Sequence, residues 1–186
     1  MLLNTGFLSI DCGSSTNYSD INHIRWVTDD NYIDHLGQRA NIGNVSENSY
    51  GLRFFPKPLN KSCYHLPVEP HVPYLVRLSF STLWSIVRNY SGLQTEISFA
   101  FYIETNGTLY MRNVTVNLET SYAERILASS GTVLYICLVR TLESHDPFIS
   151  TIELRKLQDG MYGQVKPGTI LKYIWRTDIG GNSRIR

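Results

Sequence analysis

The chain has 186 residues, of which 42% are hydrophobic and 12% aromatic, and its formal net charge is +1. This composition is typical of one globular domain with a real core, and it excludes intrinsic disorder. The charge argues against a nucleic-acid partner, because neutralising phosphates requires clustered Lys and Arg and the basic residues here are scattered.

Short strand-like segments dominate the chain. FLSID, IRWV and LRFF are brief, whereas PYLVRLSFS (residues 73–81), ISFAFYIE (97–104) and FISTIELRKL (148–157) alternate two sets of side chains. A period of two predicts strands with one buried face. TLYMRNV is a further candidate, and TVLYICLVR is apolar on both faces, which is typical of a central strand.

Turn sequences separate these segments, among them CGSS, FPKP, EPHVP, TNGT and SHDP. No long amphipathic helix is visible, although TSYAERILASS (120–130) is compatible with one or two helical turns. The pattern predicts an all-β fold, a sandwich or jelly roll, forming a single domain over residues 6–175. Residues 176–186 are loop-like and are predicted to lie outside that domain.

Potential N-glycosylation triplets are unusually frequent. Chance would place about two Asn-X-Ser/Thr triplets in a chain with this content of Asn, Ser and Thr, whereas the sequence has six. Their asparagines are Asn17, Asn44, Asn60, Asn89, Asn106 and Asn113. This density predicts passage through the secretory pathway, with the asparagines on exposed turns. Asn113 lies inside a predicted strand and is the least suited to modification.

The three cysteines suggest one disulfide. Cys12 and Cys63 lie in polar surroundings beside turns, whereas Cys137 lies inside the apolar run TVLYICLVR and is interpreted as a buried thiol. The sequence therefore favours a Cys12–Cys63 disulfide, which would contribute roughly 4 kcal/mol in the chain-entropy model. Spacing alone does not fix the connectivity of three cysteines.

No arrangement of residues predicts an enzyme, a metal site or a cofactor. His65 and His71 flank Glu69, but the prolines between them and the lack of a further matched pair make zinc binding a poor interpretation. The adjacent Ser, His and Asp of SHDP do not form a catalytic triad, whose members meet through the fold. The chain has neither a P-loop nor a GxGxxG motif.

Ligand binding is the favoured activity, and three groups of residues are candidates for it. They are Tyr32 with Asp29 and Asp30, Tyr18 with Asp20, and Trp84 with Arg88 and Tyr90 in a turn rich in Asn, Ser and Gly. An aromatic ring of this kind can stack on a sugar while a polar neighbour bonds its hydroxyls. Each aromatic is also explained by packing inside the sandwich, and packing is the preferred interpretation for Tyr32.

Several segments, taken in order, resemble the plant malectin-like domain, the extracellular module of many plant receptor-like kinases. They are GFLSIDCGSS, WVTDDNYID, LRFFPKPLNKSCYHLPV, YLVRLSF followed by NYSGL, YICLVR, PFISTIELRKL and the closing DIGGNSRIR. The resemblance covers nearly all of the chain. One departure is Ser91, which stands where the family has an acid and creates the triplet at Asn89.

The resemblance implies a malectin-type β-sandwich lobe, the first of two, with residues 176–186 starting a linker to a second lobe. It implies an extracellular or cell-surface location and an oligosaccharide, such as a cell-wall glycan, or a peptide or protein as ligand. The alternative is a truncated fragment without function of its own. The sequence shows no convincing signal peptide and no apolar run of about 18 residues. We therefore expect any signal peptide, membrane span or kinase to lie outside this chain.

Overall fold

The computed structural model describes residues 6–40, 51–80, 97–105, 108–116, 121–141, 146–172 and 174. Within these ranges the chain forms β-strands and no helix. The strands are β1 Phe7–Asp11, β2 Tyr18–Ser19, β3 Arg25–Thr28, β4 Gln38–Ala40, β5 Leu52–Phe54, β6 Lys61–Pro67, β7 Pro73–Phe80, β8 Ile97–Thr105, β9 Thr108–Val116, β10 Ser121–Ala128, β11 Val133–Arg140, β12 Phe148–Ile149, β13 Thr151–Lys156 and β14 Ile170–Lys172. The described residues contain no helix that is long and apolar enough to cross a membrane.

The strands form two large sheets and a small one. The first has the order β14-β10-β7-β13-β1-β3-β2, the second β6-β11-β8-β9, and the third β12-β5-β4. Neighbouring strands are antiparallel except β1 and β3, which are parallel. Sequence-distant strands are therefore neighbours, as in the pairing of β1 with β13.

The core lies between the two large sheets. On β7, Tyr74, Val76, Leu78 and Phe80 are all buried, as the alternation of PYLVRLSFS predicts. They belong to the same buried cluster as apolar residues of the four-stranded sheet, among them Tyr64, Leu66, Leu134, Ile136 and Leu138. TVLYICLVR forms β11 between β6 and β8, so the prediction of a central strand is confirmed. The all-β sandwich is also confirmed.

The helical interpretation of TSYAERILASS is wrong. Residues 121–128 form β10, which is hydrogen-bonded to β7 on one side and to β14 on the other. Ala123 and Leu127 face the core, while Tyr122 lies on the outer face. Pairing with two strands outweighs the helix propensity of Ala, Glu, Arg and Leu, because local propensity is worth less than tertiary packing.

The predicted disulfide is also wrong. Cys63 on β6 is bonded to Cys137 on β11, and their Cα atoms are 4.0 Å apart. The two residues are directly opposite each other in the antiparallel ladder, so their side chains project from the same face of the sheet. Cys12 is a free thiol, fully buried in the core. Apolar composition alone misled the prediction, because a strand with two hydrophobic faces can still direct one side chain out of the sandwich.

Candidate functional site

Asp29, predicted as a ligand-binding residue, lies in the interior. It follows β3, and its side chain is fully buried. Its carboxylate accepts hydrogen bonds from Nε and Nη2 of Arg53, a buried residue of β5, and from the Tyr64 hydroxyl at 3.0 Å. Arg39 Nη2 adds a contact at 3.3 Å. A ligand at the surface cannot reach this carboxylate unless the ion pair opens, so the predicted role of Asp29 is corrected to a structural one.

The Asp29 network also governs the ionisation of its neighbours. Burial, together with the negative charge of Asp29, raises the pKa of Cys12 well above its ordinary value of 9.0. Burial likewise raises the pKa of Tyr64 well above 10.0, assisted by Cys12 and Asp29. Burial, the largest effect, disfavours the Arg53 cation, but hydrogen bonding and charge interactions, chiefly with Asp29, together outweigh it and raise the pKa of Arg53. Cys12 and Tyr64 therefore stay protonated inside the fold, which suits packing rather than catalysis.

Tyr32 lies at the border between this interior network and the surface. Its amide donates to the Asp29 carbonyl at 2.9 Å, and its carbonyl accepts from the His65 amide at 2.7 Å. Its ring is half-buried against the core, and burial raises its pKa. The next residues continue along the edge of β6, since Ile33 pairs with Tyr64 and the Asp34 amide donates to the Cys63 carbonyl at 3.1 Å.

A group of exposed polar and aromatic side chains lies beside Tyr32 on the outer face of the four-stranded sheet. His65 Nε2 is 2.6 Å from Asp34 Oδ1, and the His65 ring meets Tyr135 edge-on with ring centroids 5.0 Å apart. His65 and Tyr135 are directly opposite each other on β6 and β11. We call Asp34, His65 and Tyr135 the aromatic–carboxylate cluster.

Sequence reasoning missed Asp34, His65 and Tyr135 as surface residues. His65 was considered only as a metal ligand, and Tyr135 lay inside a run read as apolar on both faces. The alternation of β6, in which Tyr64 and Leu66 are buried, was the available signal for an exposed His65. No sequence signal would have identified Tyr135 as its neighbour, because that contact depends on the register between β6 and β11.

The outer face of the seven-stranded sheet has a different chemistry. Register places five outward residues in one row across β1, β13, β7, β10 and β14. They are Phe7, Arg155, Leu75, Ile126 and Leu171. Phe7 and Leu171, at the two ends, are exposed, and the Arg155 guanidinium lies 5.5 Å from the Phe7 ring centroid. We call these five residues the apolar row, because all of them except Arg155 are apolar.

A charged row runs beside the apolar row. Arg77 Nε lies 2.5 Å from Glu124 Oε1, and Arg77 Nη1 lies 3.6 Å from Glu153 Oε1. Arg155 Nη2 reaches Glu153 Oε2 at 2.7 Å, which links the two rows. Tyr122, also exposed, lies 5.8 Å beneath the Arg77 guanidinium. The face therefore combines apolar, aromatic and arginine side chains, which are the types enriched in protein interfaces.

Some predicted site residues lie outside the described part of the chain. These are Trp84, Arg88 and Tyr90, together with the glycosylation candidates Asn44, Asn89 and Asn106. Asn17 and Asn60 are exposed, and Asn113 lies within β9. The Asn17 side-chain oxygen accepts a hydrogen bond from the Thr28 amide at 2.9 Å. The side-chain nitrogen of Asn17, to which a glycan would be attached, is not part of that hydrogen bond. All six sites stay predictions, as does the domain boundary at residue 175.

The histidines considered for zinc do not form a site. His65 pairs with Asp34, whereas Glu69 binds Lys156 Nζ with both carboxylate oxygens at 2.6 and 2.7 Å. Across the residues that the structure describes, no group of three or more His, Cys, Asp or Glu side chains is arranged to hold a metal ion.

Comparison with known proteins identifies a family. The sequence profile described as "Malectin-like domain" matches residues 10–186. A putative leucine-rich repeat receptor-like serine/threonine-protein kinase of Arabidopsis thaliana is 32% identical over 190 residues, which are 97% of this chain and 20% of the relative. The chain thus spans about a fifth of the length of this receptor kinase.

Solved structures show the same fold. The ANX1 ectodomain from Arabidopsis thaliana matches with a TM-score of 0.65 and 20% identity, covering 83% of this chain and 42% of that one. FER, in a crystal of the plant peptide RALF23 with FER and LLG2, matches with a TM-score of 0.66 and 15% identity, covering 82% of this chain and 49% of that one. At these identities the likeness shows the fold alone.

Proposed function

Because the chain belongs to the malectin-like family, we propose that it is an extracellular recognition lobe of a receptor-like-kinase type protein and that it binds a peptide or protein partner. The family is shared with ectodomains of plant receptor kinases, which supports a location at the cell surface. A kinase and a membrane span are expected in the remainder of such a protein.

The apolar row carries this proposal. Phe7, at 67% exposure, and Leu171, at 37%, bracket Leu75 and Ile126 across five strands. Apolar and aromatic side chains flanked by arginines form the energetic centres of protein interfaces, where a few such residues contribute most of the affinity. Exposed rows of this kind on a sheet face mark interaction sites more often than isolated surface hydrophobics do.

The relatives support a peptide or protein ligand. The FER structure contains the peptide RALF23 and the protein LLG2, so a chain with this fold is crystallised with both kinds of molecule. The relatives are also longer than this chain, which leaves room for a second malectin lobe. Such a lobe is the other candidate occupant of the apolar row, because β14 lies at the edge of the same sheet.

The test measures binding of RALF23 peptide and LLG2 protein, separately and together, to the secreted chain by biolayer interferometry. We expect binding to weaken about five- to thirtyfold in Phe7→Ala and Leu171→Ala, since removing a central interface side chain costs about 1–2 kcal/mol. Tyr135→Ala, on the opposite face, is the matched control and should bind normally. No binding to a folded chain, or equal losses in all three variants, would contradict the proposal.

Carbohydrate is the other ligand class, and the predicted loop site for it stays a prediction. A glycan array with the secreted chain and a Trp84→Ala/Tyr90→Ala double variant tests that loop. Selective binding that the double variant loses would support it. A folded chain that binds neither the glycans nor RALF23 and LLG2 would instead favour the alternative of a fragment without function of its own.

A further inference from the structure

We propose that β9, at the edge of the four-stranded sheet, accepts an extended segment of a partner protein as an added antiparallel strand, and that this segment carries an acidic residue opposite Arg112. β9 runs from Thr108 to Val116 and is the last strand in the order β6-β11-β8-β9. This edge is separate from the apolar row, which lies on the outer face of the other large sheet.

β9 differs from the other strand edges that the structure describes. At the opposite edge of the same sheet, residues 32–34 cover β6. There the Asp34 amide donates to the Cys63 carbonyl at 3.1 Å, and the His65 amide donates to the Tyr32 carbonyl at 2.7 Å. The edge strands β2, β4, β12 and β14 are only two or three residues long. β9 has nine residues and, within the described ranges, pairs with β8 alone.

The register shows which backbone groups of β9 point away from β8. In an antiparallel ladder, successive residues direct their N–H and C=O groups alternately to the two sides of the strand. Cys63 and His65 direct theirs to residues 32–34, so Cys137, opposite Cys63, directs its own to β8. Glu104 faces Cys137 in that ladder, and Leu109, opposite Glu104, therefore points away from β8. The same holds for every second residue of β9, which gives Leu109, Met111, Asn113 and Thr115.

β9 lacks the features that usually protect an edge strand from pairing. Its nine pairs with β8 follow one another without a break, so no bulge bends the strand away. The sequence TLYMRNVTV has no proline and one charged residue, Arg112. Natural sheets use bulges, prolines and charges to prevent unwanted pairing at an edge. A long edge without them suits strand addition, in which main-chain hydrogen bonds supply the affinity.

Arg112 determines which strand fits this edge. Pairing all nine residues of two antiparallel copies of β9 would place Arg112 opposite Arg112, and directly opposed like charges are unfavourable. A second copy of this chain is therefore a poor occupant. A partner strand with Asp or Glu at that position gains an opposite-charge pair instead. The main chain of β9 thus supplies affinity and Arg112 supplies selectivity.

The experiment measures binding to the secreted chain by fluorescence anisotropy. The probe is a fluorescein-labelled nonapeptide of alternating Thr and Val with Glu at its centre. A peptide with Lys at the centre should bind about three- to tenfold more weakly. When Glu is opposite Arg112, the four valines pair with the outward-pointing residues of β9, so the peptide N-methylated at those valines should not bind. Arg112→Glu should reverse the order of the Glu and Lys peptides.

Met111→Pro tests the backbone directly. The amide of Met111 points away from β8, so proline removes a donor to the added strand without removing a bond to β8. The variant should therefore fold, as circular dichroism can check, and should bind at least about tenfold more weakly. Met111→Ala is the matched control and should bind within about twofold of the unchanged chain. The reversal by Arg112→Glu tests the proposal independently of the folding of Met111→Pro.

Three results of the peptide experiment would overturn the proposal. They are a folded chain that binds neither peptide, a folded Met111→Pro that binds as well as Met111→Ala, and an order of peptides that Arg112→Glu leaves unchanged. Phe7→Ala and Leu171→Ala, in the apolar row, should bind the nonapeptide normally. A failure here therefore leaves the RALF23 and LLG2 test unaffected.

Two other occupants of the β9 edge can be recognised in the same protein. Asn113 is one of the outward-pointing residues and begins a glycosylation triplet, so a glycan there would shield the edge. Mass spectrometry should find Asn113 unmodified, and sedimentation should find a monomer. A glycan on Asn113, or a dimer that Met111→Pro abolishes, would show that the edge is closed by sugar or by a second copy, against the proposal.

Discussion

Replacing Asp29 by Ala should destabilise the protein more than any exposed acidic substitution. Asp29 is fully buried and binds Arg53 through two guanidinium nitrogens, Tyr64 through its hydroxyl and Arg39 at longer range. In Asp29→Ala the Arg53 side chain, only 3% exposed, keeps the Leu36 carbonyl and a 3.3 Å contact with Asp30. The substitution therefore leaves a largely uncompensated cation in the interior.

The expected cost is about 3–5 kcal/mol, the range for breaking a buried ion pair on one side. Tyr64→Phe removes a single hydrogen bond to the same carboxylate and should cost only about 1 kcal/mol. The free energy of unfolding of a domain is about 5–15 kcal/mol, so Asp29→Ala should remove a large part of the stability of this one. Asp30→Ala is the control, because its side chain is 42% exposed and surface ion pairs contribute about 0–1 kcal/mol.

Urea unfolding followed by tryptophan fluorescence measures these differences, and Trp26, 2% exposed, is a suitable buried reporter. With a slope of about 1–3 kcal/mol per molar urea, the midpoint of Asp29→Ala should fall by about 1–5 M. A loss below about 1 kcal/mol, or one equal to that of Asp30→Ala, would refute the view that Asp29 is a buried structural anion. It would also reopen Asp29 as an accessible ligand-binding residue.

Three further predictions concern the cysteines and the glycosylation triplets. Proteolytic mapping of the unreduced chain should recover a peptide in which Cys63 is linked to Cys137, with Cys12 alkylated only after denaturation, whereas a Cys12–Cys63 peptide would contradict the structure. Cys137→Ala should lower the free energy of unfolding, measured in urea, by about 2–5 kcal/mol. Burial raises the pKa of Cys12 above 9.0, so above that pH the unfolded chain releases a proton that the folded chain keeps, and stability falls by up to about 1.4 kcal/mol per pH unit. Cys12→Ala should reduce this alkaline slope, and an unchanged slope between pH 9 and 10 would count against a buried thiol. In secreted protein, Asn17→Gln and Asn60→Gln should each remove one glycan by mass spectrometry, whereas unchanged mass in both would argue against use of these exposed triplets.

The strands could be predicted where one face is buried and the other is not. Tyr74, Val76, Leu78 and Phe80 are recognisable from their period of two, since that spacing corresponds to the two faces of a strand. β10 could not be identified in this way, because the four-residue spacing of its core residues Ala123 and Leu127 is also compatible with a short helix. Strand pairing with β7 and β14 decides the outcome, and such pairing is not encoded locally.

The site residues were harder to predict because they depend on register. Asp29 follows a strand and precedes another acid, a pattern that is typical of an exposed turn. Its carboxylate is nevertheless buried, because it pairs with the buried Arg53, 24 residues later in the chain. Cys63 and Cys137 are 74 residues apart and become neighbours only when β6 pairs with β11. His65 and Tyr135 meet through the same pairing. Burial of a single side chain can be estimated from its neighbours in sequence, whereas the partner of that side chain requires the sheet order.

The interior ion pair and the aromatic–carboxylate cluster are mechanically connected. Arg53 fixes Asp29, the Asp29 carbonyl holds the Tyr32 amide, and two residues later Asp34 reaches His65. Asp29→Ala should therefore speed hydrogen exchange at the Tyr32 and Asp34 amides several-fold, because the segment that carries them loses its anchor. Asp30→Ala should have a smaller effect, since the exposed Asp30 carboxylate binds Arg39 and adds only a 3.3 Å contact to Arg53. Hydrogen exchange measured on both variants, without urea and where each is folded, distinguishes the cases: equal rates would show that the backbone bonds to β6 suffice to position Asp34.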